Sequence, residues 1–332
     1  MTFAILIIVL ALVFDFYNGM NDAANSIATV VSTRVLSPFQ AVLWAAFFNF
    51  AAAFFFGVNV ANTIGKGIVD VTVVDNFVIF SGLIGAIICS ATATHYGLPI
   101  SVSHSIIGGY GGAAIAKAGF SSIIMSGYTK VLIFIFLAPI LAFVVAILFS
   151  VITLWIVRFN SPYKVDKYFR KLQLVSAAFY SLSHGANDAQ KTMGIIAVVL
   201  FTNGLIGDTF HVPFGVVILS YSVISFGTLV GGWKVIRTLG MRVTKLTPFS
   251  GFSAETSAGL TISLASVFGI PVSTTHTITG AIIGVGSLKS FSAVRWGVAR
   301  NILWAWVLTI PLSAGFAVLT FYLSTYLSKF FK

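Results

Sequence analysis

Residues 17–25 read YNGMNDAAN and place Asn18, Asn21, Asp22 and Asn25 inside an otherwise apolar run. The segment before them, MTFAILIIVLALVF, carries no charged side chain over residues 1–14, and SIATVV follows. The 332-residue chain is 58% hydrophobic and 8% charged, with a mean hydropathy of +1.01. Soluble domains are about one quarter charged, so this composition calls for a non-aqueous solvent. Apolar runs of about 20 residues, enough to span a bilayer as helix, recur along the whole length. They do not alternate as the strands of a membrane β-barrel do. The expected fold is therefore an all-α polytopic membrane protein. Why such a chain should bury amides and a carboxylate is the question that residues 17–25 raise.

A second stretch repeats the first. Asn21-Asp22-Ala23 recurs in HGANDAQK (184–191) as Asn187-Asp188-Ala189, 166 residues later. GLPISVSHSIIG (97–108) recurs as GIPVSTTHTITG (269–280), 172 residues later. Two motifs in the same order at nearly the same spacing indicate a tandem duplication. The first half spans 1–160, with its N-D motif at 18–25 and a hairpin at 77–118. The second spans 161–332, with its N-D motif at 184–191 and a hairpin at 250–288.

Charge gives the two halves opposite orientations. The net charge of +11 comes largely from three clusters: Arg158, Lys164, Lys167, Arg170 and Lys171; Lys234, Arg237, Arg242 and Lys245; and Lys289, Arg295 and Arg300. Each lies between apolar segments, as expected for cytoplasmic loops, so the basic balance reports orientation and not a nucleic-acid partner. With these clusters and Arg34 inside, 1–33 crosses inward, 38–65 returns, 77–118 begins and ends outside, and 129–157 crosses inward again. The second half then reverses the sense: 172–203 outward, 213–231 inward, 250–288 beginning and ending inside, and 302–325 outward. Both termini are placed outside a plasma or inner membrane. Residues 1–14 read as a first membrane helix, with no leading basic residue and no cleavage site of a signal peptide. The single cysteine, Cys89, excludes an intrachain disulfide. Inverted-topology repeats are a transporter architecture, with the substrate site near the bilayer midplane where the halves meet.

At about 100° per residue, Asp15, Asn18, Asn21, Asp22, Asn25 and Thr29 share an arc of about 120° on one helix face. Ser181, His184, Asn187, Asp188 and Lys191 share the matching arc in the second half. Gly19 and Gly185 each permit a local break or a close helix contact. A carboxylate near the bilayer centre costs about 2.5–3.5 kcal/mol on insertion scales and marks a functional site by default. One such motif could serve only to bond helices together; two symmetric copies argue for a site.

The second pair of motifs combines helix breakers with hydroxyls. Gly followed by Pro ends one helix, and Pro99 or Pro271 sits near the start of the next. Ser101, Ser103 and Ser105, and Ser273, Thr275 and Thr277, then surround a helix N-terminus whose unpaired amides and dipole favour an anion. The bland alternative is a Pro-kinked helix with its hydroxyls bonded to its own backbone. Two such termini entering from opposite faces make 77–118 and 250–288 re-entrant hairpins. His104 and His276, without cysteines or a ligand cluster nearby, are weak evidence for a metal; they hold the loops or line the site, with a role in proton transfer left open.

Asp22 and Asp188 stand close to an expected anion site, which is contradictory unless cations travel with the anion. Carboxylate, amide and hydroxyl oxygens suit hard cations or protons. The electrostatics thus predict cation-coupled anion symport, with Asp22, Asn25 and Asp188 as cation ligands. Glu255 is a third intramembrane acid, with Leu83 at the equivalent first-half position, and suggests an additional cation site in the second half only. Lys191 occupies the place of Asn25, where it either replaces a cation or neutralises Asp188.

These residues resemble the inorganic phosphate transporter (PiT) family, whose hallmark is a duplicated G-A-N-D-x-A-N-type motif. GANDAQK (185–191) matches closely, and GMNDAAN (19–25) departs at Met20. The resemblance covers essentially the whole chain and both G-[LI]-P motifs. It implies a symporter taking up phosphate with Na⁺, or alternatively H⁺, with no cofactor beyond the coupling ion, as a homodimer in the lipid bilayer. It maps Asn21, Asp22, Asn25, Asn187 and Asp188 onto the hallmark positions, with Asn21 and Asn187 joining the hydroxyls as phosphate ligands. The long loop that the family carries between its halves is reduced here to 158–172, so no regulatory loop domain is expected. Sulfate and metal–phosphate complexes remain alternative substrates. An anion channel would need no paired carboxylates, and a hydrolase using Asp22 and His104 would need a nucleophile–base signature that is missing. No phosphate-binding loop of an ATP-driven pump is present.

Overall fold

In the computed structural model, residues 2–236 and 243–330 are described; Arg237 and Arg242 of the second basic cluster lie outside that range. The all-helical expectation holds: the described residues form helices and short 3₁₀ turns, with one isolated bridge between Val69 and Ile123. In chain order the helices are α1 (Thr2–Ser32), α2 (Pro38–Ala51), α3 (Asn59–Lys66), α4 (Asn76–Tyr96), α5 (Val102–Ala118) and α6 (Met125–Val157). They continue with α7 (Pro162–Thr202), α8 (Phe214–Val230), α9 (Pro248–Val267), α10 (Thr274–Lys289) and α11 (Trp296–Leu327). Among these, α1, α4, α6 and α11 are each long and apolar enough to cross a bilayer.

One expected crossing and the expected linker take a different form. The segment 38–65 is not one helix: Pro38–Phe54 and Asn59–Lys66 meet at 82°. The start of α3 is capped from a distance, because Gln190 Oε1 on α7 accepts from the amides of Val60 (2.8 Å) and Ala61 (3.2 Å). The basic linker 158–172 is not a loop either; most of it forms the opening turns of α7, where Asp166 and Arg170 pair across one turn at 3.0 Å. Arg170 also donates to the Arg34 carbonyl at 3.1 Å, joining α7 to the end of α1.

Both G-[LI]-P motifs break the helix as the sequence predicts. Gly97 closes α4 at φ +70°, and Gly269 follows α9 at φ +66°, the left-handed region that glycine enters without steric cost. Pro99 and Pro271 lie inside the breaks, and the next helices begin at Val102 and Thr274 with Ser101 and Ser273 as N-caps. The helices α4 and α5 then run antiparallel, with Ser90 beside Ser105 (2.9 Å), while Lys117 Nζ and Asp75 Oδ2 tie the open end at 2.6 Å. The two breaks meet: Ser103 Oγ donates to the Val272 carbonyl at 3.2 Å, and the His104 and His276 rings lie 4.5 Å apart.

Packing crosses from one part of the chain to the other. The α4–α5 hairpin packs on α11, and α10 packs on α6. Small residues make both contacts close: a Cβ at Gly112 would stand 2.7 Å from Ala314 Cα, and one at Gly284 2.6 Å from the Phe143 carbonyl oxygen. Likewise α1 packs on α8 and α7 on α2. Gly19 and Gly185 are the points of nearest approach there, with Gly185 against the Asn49 backbone. Neither glycine breaks its helix; each allows close helix contact, as in membrane-embedded interfaces generally. The outcome puts α1 and α7 side by side at the centre, both buried on all sides through their N-D motifs.

Candidate functional site

The two N-D motifs converge on the start of α10. Thr274 Oγ1 lies 3.1 Å from Asp22 Oδ2 and 3.1 Å from Asp188 Oδ2, so one hydroxyl stands between carboxylates from the two motifs. Thr275 Oγ1 lies 3.3 Å from Asp22 Oδ1 and accepts from Asn25 Nδ2 at 2.9 Å. His184 Nε2 stands 3.2 Å from Asp188 Oδ2 and 3.9 Å from Asp22 Oδ2. Its Nδ1 lies 3.0 Å from Asn49 Oδ1, and Asn49 in turn donates to Thr228 at 3.0 Å, which fixes the ring. Asp22, His184 and Asp188 are all buried and each offers a ligand atom within 4.8 Å of the others.

Lys191 completes the cluster from the opposite side. Its Nζ donates to Ser103 Oγ at 2.6 Å, to the Val272 carbonyl at 3.0 Å, and to Asp188 Oδ1 in a close ion pair. The side chain is 1% exposed, and the three oxygens satisfy its three donors. Both roles open to Lys191 from the sequence, neutralising Asp188 and standing in for a cation, draw on these same three oxygens.

The remaining predicted residues sit around this centre and not in it. Asn21 Nδ2 donates to Thr94 Oγ1 (2.8 Å), and Asn187 Nδ2 to Ser266 Oγ (2.9 Å) and the Ile270 carbonyl (3.2 Å). Asn187 Oδ1 also accepts the Val272 amide at 3.2 Å. These amides hold the ends of α4 and α9 against α1 and α7. Ser101 and Ser273 spend their oxygens on the amides of His104 (3.2 Å) and His276 (3.3 Å). Ser105 and Thr277 donate to the carbonyls of Val102 and Ser273 within their own helices. Glu255 forms a separate cluster, where it accepts from Gln173 Nε2 at 2.9 Å and closely from Ser176 Oγ. Gln173 Oε1 accepts from Thr33 at 2.9 Å.

Two central residues carried no assignment in the sequence. Thr274 follows the cap directly: Ser273 is committed to its own helix as N-cap, so the next hydroxyl is the free one. His184 lay on the polar arc, but its role depends on the register of Asn49 on α2. The first-turn amides of α5 and α10 beyond the capped ones have no intrahelical acceptor.

Carboxylates, amides and hydroxyls gathered at two helix breaks inside an apolar helical bundle are the makings of a membrane transporter. The chain belongs to the phosphate transporter family, whose model matches residues 18–317. It is 54% identical over 316 residues to a Rhizobium meliloti (strain 1021) protein described as a probable low-affinity inorganic phosphate transporter, covering 95% of each chain. A Bacillus subtilis (strain 168) protein with the same description is 42% identical over 322 residues, covering 96% of each. A solved structure described as the sodium-dependent phosphate transporter matches 98% of this chain and 99% of its own, with a TM-score of 0.89 at 28% identity. The chain is a multi-pass membrane protein that transports phosphate, and it is not an enzyme.

Proposed function

We propose that the chain imports inorganic phosphate by symport with Na⁺, through alternating access at the point where the hairpin breaks meet. The observation that carries this reading is the Thr274 hydroxyl lying 3.1 Å from both Asp22 and Asp188. Two carboxylates at one hydroxyl repel phosphate, which carries a charge of roughly −1.5 at neutral pH, as a phosphate ester does. Cations must therefore arrive with the anion. Asp22, Asn25 and the Asp188 oxygen that Lys191 does not hold (Oδ2) supply the hard oxygens for Na⁺, and Glu255 supplies a further, separate acid. Ser103, Thr274, Thr275 and the free first-turn amides of α5 and α10 supply donors for phosphate, while Asn21 and Asn187 position the hairpins. On this reading the halves 1–160 and 161–332 are inverted repeats, the hairpins are re-entrant from opposite faces, both termini lie outside, and two copies form a homodimer.

Proton symport is a second reading, favoured by His184, a proton acceptor placed between the two carboxylates. Radiolabelled phosphate uptake into proteoliposomes separates the two. Accumulation driven by an inward Na⁺ gradient and indifferent to excess sulfate supports the proposal. Accumulation driven only by a proton gradient replaces Na⁺ by H⁺, and suppression by sulfate would reassign the substrate.

A further inference from the structure

The two N-D motifs make equivalent contacts with their hairpins. Asn21 holds Thr94 and Asn187 holds Ser266, at offsets of 166 and 172. One turn on, Asn25 Nδ2 reaches Thr275 Oγ1 at 2.9 Å, and Lys191 Nζ reaches Ser103 Oγ at 2.6 Å, at the same two offsets. Asn25 and Lys191 thus occupy the same place in two copies of one contact pattern, yet one is a neutral amide and the other an ammonium.

The surroundings of Lys191 Nζ are those of a monovalent cation site. A hydroxyl from one hairpin break, a backbone carbonyl from the other and an Asp188 carboxylate oxygen converge on it, and the position is buried. Hard oxygen ligands of these three kinds are what an alkali ion takes from a protein. At the Asn25 position no ammonium or guanidinium pairs with Asp22 among the described residues, and Asn25 Oδ1 is buried without a hydrogen-bond partner. Among the described residues the Asp22 carboxylate accepts only from the Thr274 and Thr275 hydroxyls, with His184 3.9 Å away, so it and the unpartnered Asn25 amide oxygen are the ligands with no built-in ammonium.

We infer that Lys191 is a built-in counter-cation: its ammonium fills one of two equivalent cation positions permanently, and only the Asp22 position is left for an ion that comes and goes. A tethered cation cannot be released with the substrate, so it balances charge at the site without contributing to coupling. The transporter therefore carries one cation fewer per phosphate than the same site would with asparagine at both positions. What the count means for transport rests on the cation-symport reading above, whereas the binding count does not.

The test is the number of ²²Na⁺ ions bound at saturation by the purified full chain in phosphate, with K191N and N25K compared to wild type. K191N is expected to bind one more ion per chain, and its cation-to-phosphate ratio, from reversal of flux in proteoliposomes, to rise by one. N25K places an ammonium beside Thr275 and is expected to bind one ion fewer. An unchanged count in folded K191N overturns the inference. If wild type accumulates no phosphate under a Na⁺ gradient but K191N still gains an ion, the inference stands and the Na⁺-symport reading falls. A lysine that merely holds the fold would change thermal stability on substitution but not the ion count.

Discussion

The two hairpin breaks carry matching sequences and matching caps, yet only the second reaches both carboxylates. Ser101 and Ser273 cap in the same way, and Gly97 and Gly269 adopt the same backbone region. The difference lies one residue past each cap. Thr274 puts a hydroxyl between Asp22 and Asp188, whereas its counterpart Val102 is packed in the hydrophobic core beside Ile106 and Tyr110. What the first break lacks in a hydroxyl, Lys191 makes up with an ammonium bound to Ser103 and Asp188. The caps and breaks match while the chemistry is one-sided: Asp188 has an ammonium beside it and Asp22 does not.

The largest expected effect breaks that one-sidedness at the acids. D188N and D22N are each expected to abolish coupled uptake, but only D188N leaves a buried ammonium without its carboxylate. Breaking a buried pair in that way costs about 3–5 kcal/mol, so D188N should unfold well below D22N in a thermal melt. Equal melting of the two variants would mean that Lys191 does not depend on Asp188. Next comes T274V, which makes the second break resemble the first. Hydrogen bonds to charged groups are worth about 1.5–3 kcal/mol, and uptake kcat/KM should fall by roughly one to two orders of magnitude with the fold retained.

Smaller effects sharpen the scaffold side of the comparison. G97A and G269A each force an L-residue into the left-handed region, at about 1–2 kcal/mol, and chemical denaturation should show similar losses for both. The smallest change is expected from V102T. A hydroxyl at the first break adds nothing that Lys191 does not already supply to Asp188, so the KM for phosphate should move less than about threefold on the scale of neutral hydrogen bonds. A tenfold drop in KM would show that the first break also awaits a donor.

Much of this was legible in the sequence, for identifiable reasons. Helix breaks are local events, so Gly97 with Pro99 and Gly269 with Pro271 announced both hairpins. Burial of polar residues in an apolar chain is costly enough that Asp22 and Asp188 stood out unaided. The equivalence of Asn25 and Lys191 followed from register alone. Features that depend on distant partners were not legible. The bend before α3 falls just after AFFNFAAAFFF (46–56), an unbroken apolar run, and its new helix start is capped by Gln190 from α7. Which hydroxyl at a break turns back on its own helix, as Ser105 and Thr277 do, and which meets the acids, as Thr274 does, depends on the facing helices and not on spacing. The hydrogen bonds of Asn21 to Thr94 and of Asn187 to Ser266 join residues 73 and 79 positions apart, which no local pattern announces.

The crossed packing has a consequence for how the chain is made. The surface of α4 and α5 that rests on α11 has no partner until α11 itself is synthesised, about 180 residues after α5 ends. At about 5–20 residues per second, the hairpin with its Ser, His and Gly face waits roughly 10–35 s in a half-built bundle. A chain that stalls before Trp296 would present that uncovered face to the insertion machinery and to membrane proteases. Co-expressed fragments divided within 158–161 should assemble only when both are present, since α4 and α5 rest on α11 in one direction and α10 on α6 in the other.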